Sequence, residues 1–115
     1  ATVVTSGARV RVVDLFDVDL TDLLEDQSDP IHGGEVDTSL MLYLAPDLVR
    51  LDLALDYTMA TRDQQRYRKG WLKIPELSLG SVGRPSLASP EKGQALYQRI
   101  HSQVRERVFL ASADS

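Results

Sequence analysis

The stretch His-Gly-Gly-Glu-Val-Asp-Thr-Ser-Leu-Met-Leu at residues 32–42 joins a histidine and two glycines to an acidic, amphipathic segment. Val36, Leu40 and Leu44 recur at steps of four, which predicts a helix from Glu35 to Leu44 with this stripe buried. The first turn of a helix has unpaired backbone N–H groups and a partial positive charge, so it favours a neutral histidine and attracts anions. The stretch therefore predicts a helix with a reactive site at its start.

Outside this stretch, the hydrophobic pattern predicts two strands and a second helix. Residues 9–16 form a β-branched, largely apolar run of strand length, and residues 48–55 alternate as in a half-buried strand or extended segment. Residues 89–91, Ser-Pro-Glu, combine an N-cap, a proline at the first helical position and an acidic first turn, which predicts a helix to about Leu110. Its buried stripe is expected at Leu96, Ile100, Val104 and Val108.

Two polar segments separate these elements. Residues 17–30 are mostly acidic and predict a solvent-facing connection with at most a short helical turn. Residues 56–80 are punctuated by Gly70, Pro75 and Gly80 and predict a long irregular loop, a kind of segment that often carries function. The order of the elements predicts part of an α/β layered domain.

The composition is that of one globular domain without disulfides. The chain has 115 residues, 43% of them hydrophobic, and no cysteine, so we exclude thiolate metal sites and expect a cytoplasmic setting. No apolar run is as long as a membrane span, which needs about 18 residues, and no secretion signal is visible. The net charge is −4, and no Lys or Arg lies between Arg11 and Arg50, so nucleic-acid binding is disfavoured even for the basic residues 62–73.

Two motifs carry a family resemblance. Residues 32–42, followed by Pro-Asp-Leu-Val-Arg at residues 46–50, resemble the C-terminal signature of the creatininase (creatinine amidohydrolase) family. Gly-Ser-Val-Gly-Arg-Pro-Ser-Leu-Ala at residues 80–88 and Glu-Lys-Gly at residues 91–93 resemble that family's Gly-x-x-Gly-x-Pro-x-x-Ala segment and the glycine of its last helix. The resemblance implies that residues 1–115 are the C-terminal portion of a three-layer α/β/α domain with a mostly parallel sheet, incomplete in this chain.

The resemblance also implies roles for individual residues. His32 matches a histidine implicated in proton shuttling, and Asp37 matches an acidic residue, commonly glutamate, that precedes Thr-Ser. Glu35 and Asp37 point about 200° apart on a helix, so only one of them readily shares a pocket with His32. Gly33 and Gly34 either let the backbone approach substrate or simply form a turn. We predict that His32 and Asp37 are catalytic and that Gly33, Gly34, Glu35 and Trp71 contact substrate.

The sequence leaves the role of Trp71 open and disfavours a metal site at His32. Trp71 lies among basic residues, where it either lines a substrate entrance or anchors its loop as a buried aromatic. His32, Glu35 and Asp37 have an unfavourable geometry for a shared metal. By the resemblance, the family's metal ligands lie in an N-terminal half whose motifs do not occur in this chain.

The implied function is metal-dependent hydrolysis of a C–N bond in a small amide or cyclic amide. This chain would supply the non-metal half of the site and would be inactive alone. A divalent Zn, Mn or Fe would be held by a missing N-terminal half or a partner chain, in a homo-oligomer. The alternative is a non-enzymatic binding or assembly module that retains the scaffold without the metal-bearing half.

Overall fold

Three α-helices organise the computed structural model, which describes residues 7–28, 30–70 and 72–110. Helix α1 is Glu35–Leu44, α2 is Thr61–Arg68, and α3 is Pro90–Arg105, which continues as a π-helical turn at Glu106–Leu110. Short 3-10 turns connect them at Leu15–Asp17, Thr21–Leu23, Pro46–Leu48, Leu51–Leu53, Glu76–Ser78 and Pro85–Leu87.

The predicted α/β fold with a mostly parallel sheet is wrong. The described residues contain no strand or sheet, and their β-type pairing is limited to two isolated antiparallel bridges, His32 with Val82 and Tyr57 with Gly83. Residues 9–14 have no regular structure, and residues 48–55 include a 3-10 turn. Alternating apolar residues favour a strand only where a neighbouring strand satisfies the backbone groups, and the described part of the chain offers no such neighbour to either segment.

The bounds of α1 and the start of α3 confirm the sequence predictions, whereas α3 ends at Arg105 and only a π-helical turn continues to the predicted end at Leu110. The Ser89 hydroxyl accepts the N–H of Lys92 at 3.1 Å, which is the predicted N-cap contact of α3. Residues 56–80, in contrast, are not wholly irregular, since they contain α2, which has no buried residue.

The buried face of α1 differs from the predicted stripe. Glu35 and Ser39 are 5% and 0% exposed, whereas Val36 and Leu40 are only half-buried and Leu44 is exposed. Ser39 packs on α3, where its carbonyl oxygen lies only 1.8 Å from where a Cβ on Gly93 would be. The helices therefore cross through two small residues, and this close crossing, not a leucine stripe, decides which face of α1 is buried.

The apolar core of the described residues is small. Its buried hydrophobic side chains are Val18, Met59, Val82 and Leu96. Many leucines outside α1 and α3 remain in contact with solvent, Leu48 at 75% exposure among them. No helix in the described ranges is long and apolar enough to cross a membrane.

Candidate functional site

A cavity of about 240 Å³ lies at the start of α1, where the two isolated bridges bring three loops together. Four of the six predicted site residues line it: His32, Gly34, Glu35 and Asp37. Gly33 does not contribute to the lining, and Trp71 lies outside the described residues. The remaining lining comes from residues 24, 26, 28, 30–31, 36, 57–59, 64 and 82–84.

His32 combines a fixed backbone with an available side chain. Its N–H donates to the Val82 carbonyl at 3.3 Å, and its carbonyl accepts the Val82 N–H at 2.7 Å. The residue is exposed, and within the described ranges its imidazole has no hydrogen-bond or ion-pair partner. The side chain is therefore available to a molecule that enters the cavity.

Asp37 holds the loop that carries His32. Its Oδ2 accepts the N–H of Gly33 at 2.9 Å, and the Thr38 hydroxyl donates to the Gly33 carbonyl at 3.3 Å. Gly33 has a φ of +63°, a conformation that glycine adopts at little cost. Asp37 therefore reaches back across the helix start and fixes the peptide beside the histidine.

Glu35 is a buried anion that other parts of the chain satisfy. Its Oε1 accepts the N–H of Asp26 at 2.9 Å, and its Oε2 accepts the N–H of Glu25 at 3.0 Å. The Lys92 ammonium also donates to Oε2, at 2.5 Å, and to the Leu87 carbonyl at 2.7 Å. Glu35 thus connects the segment before the histidine to both α1 and α3.

The charge of Lys92 is stabilised in this pair. Burial alone would lower the pKa of Lys92, but hydrogen bonds and charge attraction from Glu35, with a smaller part from Glu25, raise the pKa above its usual value of 10.5. The lysine side chain is only 12% exposed, so the pair is one of the few largely desolvated ion pairs of the described residues.

Two glycines let the two motifs approach each other. A Cβ on Gly83 would lie 2.9 Å from the Gly34 Cα, and one on Gly34 would lie 3.2 Å from the Gly83 Cα. Gly83 also has a φ of +142°. The geometry shows a turn at Gly33 and a close approach of Gly34 to this chain's own backbone, and the predicted approach to substrate stays a prediction.

The lining residues without a predicted role include Tyr57, Gln64 and Arg84. Tyr57 reaches the cavity because its backbone pairs with Gly83, with N···O distances of 3.0 and 2.7 Å. Gln64 lies on α2 and donates to the Met59 carbonyl at 2.7 Å. Arg84 stands inside the Gly-x-x-Gly-x-Pro motif, whereas Tyr57 and Gln64 had only a regional signal, the long loop predicted over residues 56–80.

The residues described here do not fit a metal ion. In these parts of the chain no three His, Asp or Glu side chains are grouped so that they could hold one. The carboxylates of Glu35 and Asp37 are instead engaged with backbone N–H groups and with Lys92.

Comparison with known proteins supports the family resemblance. The family model Creatininase, described as creatinine amidohydrolase, matches residues 5–108. No match was found among curated proteins or among solved structures. Because the family match covers most of the chain and includes both motifs at the cavity, the chain belongs to the creatininase family.

Proposed function

We propose that this cavity forms part of an active site that hydrolyses a C–N bond in a small amide or cyclic amide. Membership of the creatininase family supports an amidohydrolase-type function. The observation that carries the proposal is that residues of both family motifs, 32–42 and 80–88, line one cavity. A volume of about 240 Å³ suits a small molecule.

His32 is the proposed proton-transfer residue. An amide nitrogen leaves slowly unless it is protonated, and an imidazole gains and loses a proton near neutral pH. The imidazole of His32 is exposed at the cavity on a backbone held by Val82, so it can deliver a proton to the leaving nitrogen. General acid catalysis of this kind contributes about 10²- to 10⁴-fold in rate.

Asp37 and Glu35 support this step in different ways. Asp37 keeps the His32–Gly33 peptide in place through one carboxylate oxygen and lines the cavity, so we assign it the orientation of His32 or of substrate. Glu35 has both oxygens engaged within the chain, so we assign it the positioning of residues 25–26 at the cavity. Gly34 contributes backbone to the cavity lining.

Metal dependence and assembly belong to the proposal for the complete protein. The described residues do not fit a metal, so the roles assigned to His32, Asp37 and Glu35 do not involve one. Zn, Mn or Fe would be held by other polypeptide, either N-terminal in the same chain or in a partner. The exposed Leu48, Leu51 and Leu53 support coverage by further polypeptide, as in a homo-oligomer.

The test is amine or ammonia release from a panel of small linear and cyclic amides by the full-length protein that contains this chain. We expect His32→Ala to lower kcat by about 100-fold or more with an unchanged thermal melt. The matched control is His101→Ala, an exposed histidine on α3 outside the cavity, which should retain wild-type turnover. Normal turnover in His32→Ala would refute the proton-transfer role. Binding of small amides without hydrolysis would favour the binding module instead.

A further inference from the structure

Arg84 is the cationic residue among the described lining residues of the cavity. Its side chain is exposed at the lining, and within the described ranges it has no hydrogen-bond or ion-pair partner. The acidic residues that share the cavity are each engaged: Glu35 with Lys92, Asp37 with the Gly33 N–H, and Asp26 with the N–H and hydroxyl of Ser28. Asp26 and Asp37 keep their negative charges because their partners are neutral groups, but neither forms an ion pair with Arg84, the one cationic side chain among the described lining residues.

The backbone at Arg84 is held firmly, although its side chain is free. The Arg84 carbonyl accepts the Leu87 N–H at 3.1 Å, and the following residue, Pro85, is fully buried. Ser86 donates its N–H to Asp56 at 3.0 Å, and its hydroxyl donates to the second oxygen of the same carboxylate. The backbone from which the Arg84 side chain extends is therefore held in place at the cavity lining.

The chemistry of arginine selects the kind of group that completes this arrangement. A guanidinium stays protonated at all physiological pH values, and its planar set of donors matches the two oxygens of a carboxylate or phosphate. Arg84 stands two residues after Val82, the bridge partner of His32. A small molecule with an anionic group at Arg84 can therefore also reach His32.

We propose that Arg84 is the specificity residue of the cavity and that the substrate amide carries an oxyanion group, a carboxylate in a molecule small enough for about 240 Å³. This inference rests on the proposed amide hydrolysis, because it names the class of amide. It adds a recognition role to a residue that takes no part in proton transfer.

The test measures binding of N-acetylglycine, of its neutral methyl ester and of inorganic phosphate by isothermal titration calorimetry to the full-length protein. Wild-type protein is expected to bind N-acetylglycine at least tenfold more tightly than the ester. Arg84→Ala should remove this preference, and Arg84→Lys should retain part of it because the charge remains without the planar donors. The control is Arg62→Ala, an exposed arginine on α2 outside the cavity lining, which should behave as wild type.

Several results would overturn the inference. These are equal affinity for acid and ester, an unchanged preference in Arg84→Ala, or no binding of any probe to wild-type protein. Phosphate binding that depends on Arg84 and is tighter than that of N-acetylglycine would replace the carboxylate by a phosphate.

Failure of the inference and failure of the proposed hydrolysis give different results. His32→Ala should lose turnover but keep the preference for the acid. A carboxylate preference that depends on Arg84, without hydrolysis of any amide, would refute the hydrolysis alone. Equal turnover of anionic and neutral amides would refute the role of Arg84 alone.

Discussion

Replacing Gly93 by alanine tests the helix crossing that supports the cavity. The added Cβ would lie 1.8 Å from the Ser39 carbonyl oxygen, 2.6 Å from its carbon and 2.9 Å from the Tyr43 Cβ. Close C···O contacts in proteins are about 3.3 Å, so α1 and α3 must separate by roughly 1.5 Å. The atoms that block the Cβ belong mainly to helical backbone and cannot rotate away.

The magnitude follows from opposing contributions. Overpacking a tight contact costs about 1–3 kcal/mol or more, and separation also weakens the Ser89 N–H to Ser39 hydroxyl bond of 3.3 Å, a contribution of about 1 kcal/mol. Alanine favours a helix interior over glycine by about 1 kcal/mol, which opposes the loss. We expect Gly93→Ala to lower the free energy of unfolding by about 1–3 kcal/mol.

The assay is urea unfolding followed by circular dichroism, with Gln94→Ala as the control. Gln94 is exposed on the same helix, so its replacement should change stability by no more than about 0.5 kcal/mol. For an m-value of about 2 kcal/mol/M, the Gly93→Ala midpoint should fall by about 0.5–1.5 M. A midpoint equal to that of the control, or higher as helix propensity alone requires, would refute the reasoning.

Three further predictions concern the Glu35–Lys92 pair and the glycine contact. Glu35→Ala leaves Lys92 and two backbone N–H groups without their carboxylate, so the free energy of unfolding should fall by about 3–5 kcal/mol. The control, Glu91→Ala at an exposed site, should change that free energy by under about 0.5 kcal/mol, and equal urea midpoints for the two variants would contradict the role of the pair. The pKa of Lys92 is raised above 10.5 in the folded protein, so the stabilisation from its charge is complete below pH 10.5 and is lost as the pH rises through the folded pKa. The free energy of unfolding should therefore fall more steeply above pH 10.5 in wild type than in Lys92→Met, and identical slopes would contradict a stabilising charge on Lys92. Gly83→Ala should lower the free energy of unfolding by about 1–3 kcal/mol in the same urea assay, because Gly83 has a φ of +142° and an added Cβ would lie 2.9 Å from the Gly34 Cα. An unchanged urea midpoint would show that the two loops can separate freely.

Sequence reasoning succeeded where structure is decided locally. Ser89, Pro90 and the acidic first turn specify where α3 begins, and these signals lie within a few residues of one another. The burial of Ser39 against Gly93 depends on residues far apart in the chain, and so it was missed while leucines were predicted for that face. The strands failed for a related reason, because strand formation needs a distant partner that a local alternation cannot reveal.

The candidate site shows the same division. His32 and Asp37 were placed at one cavity because both stand in a single short motif at the start of α1. Tyr57 and Arg84 join them only through the two antiparallel bridges. The bridge of Tyr57 with Gly83 spans 26 residues of sequence, and the bridge of His32 with Val82 spans 50. Those long-range contacts have no counterpart in hydrophobic periodicity.

The distribution of hydrogen bonds separates structural from reactive groups in this cavity. Glu35 is buried with Lys92. Such a buried ion pair adds little net stability compared with apolar residues, although breaking it is costly, and here it connects residues 25–26 to two helices. His32 and Arg84, in contrast, have held backbones and side chains without partners in the described ranges. A side chain without a partner in the chain keeps its hydrogen-bonding groups available to a ligand, whereas Glu35 has both oxygens occupied. The two free side chains are therefore those to which we assign proton transfer and substrate recognition.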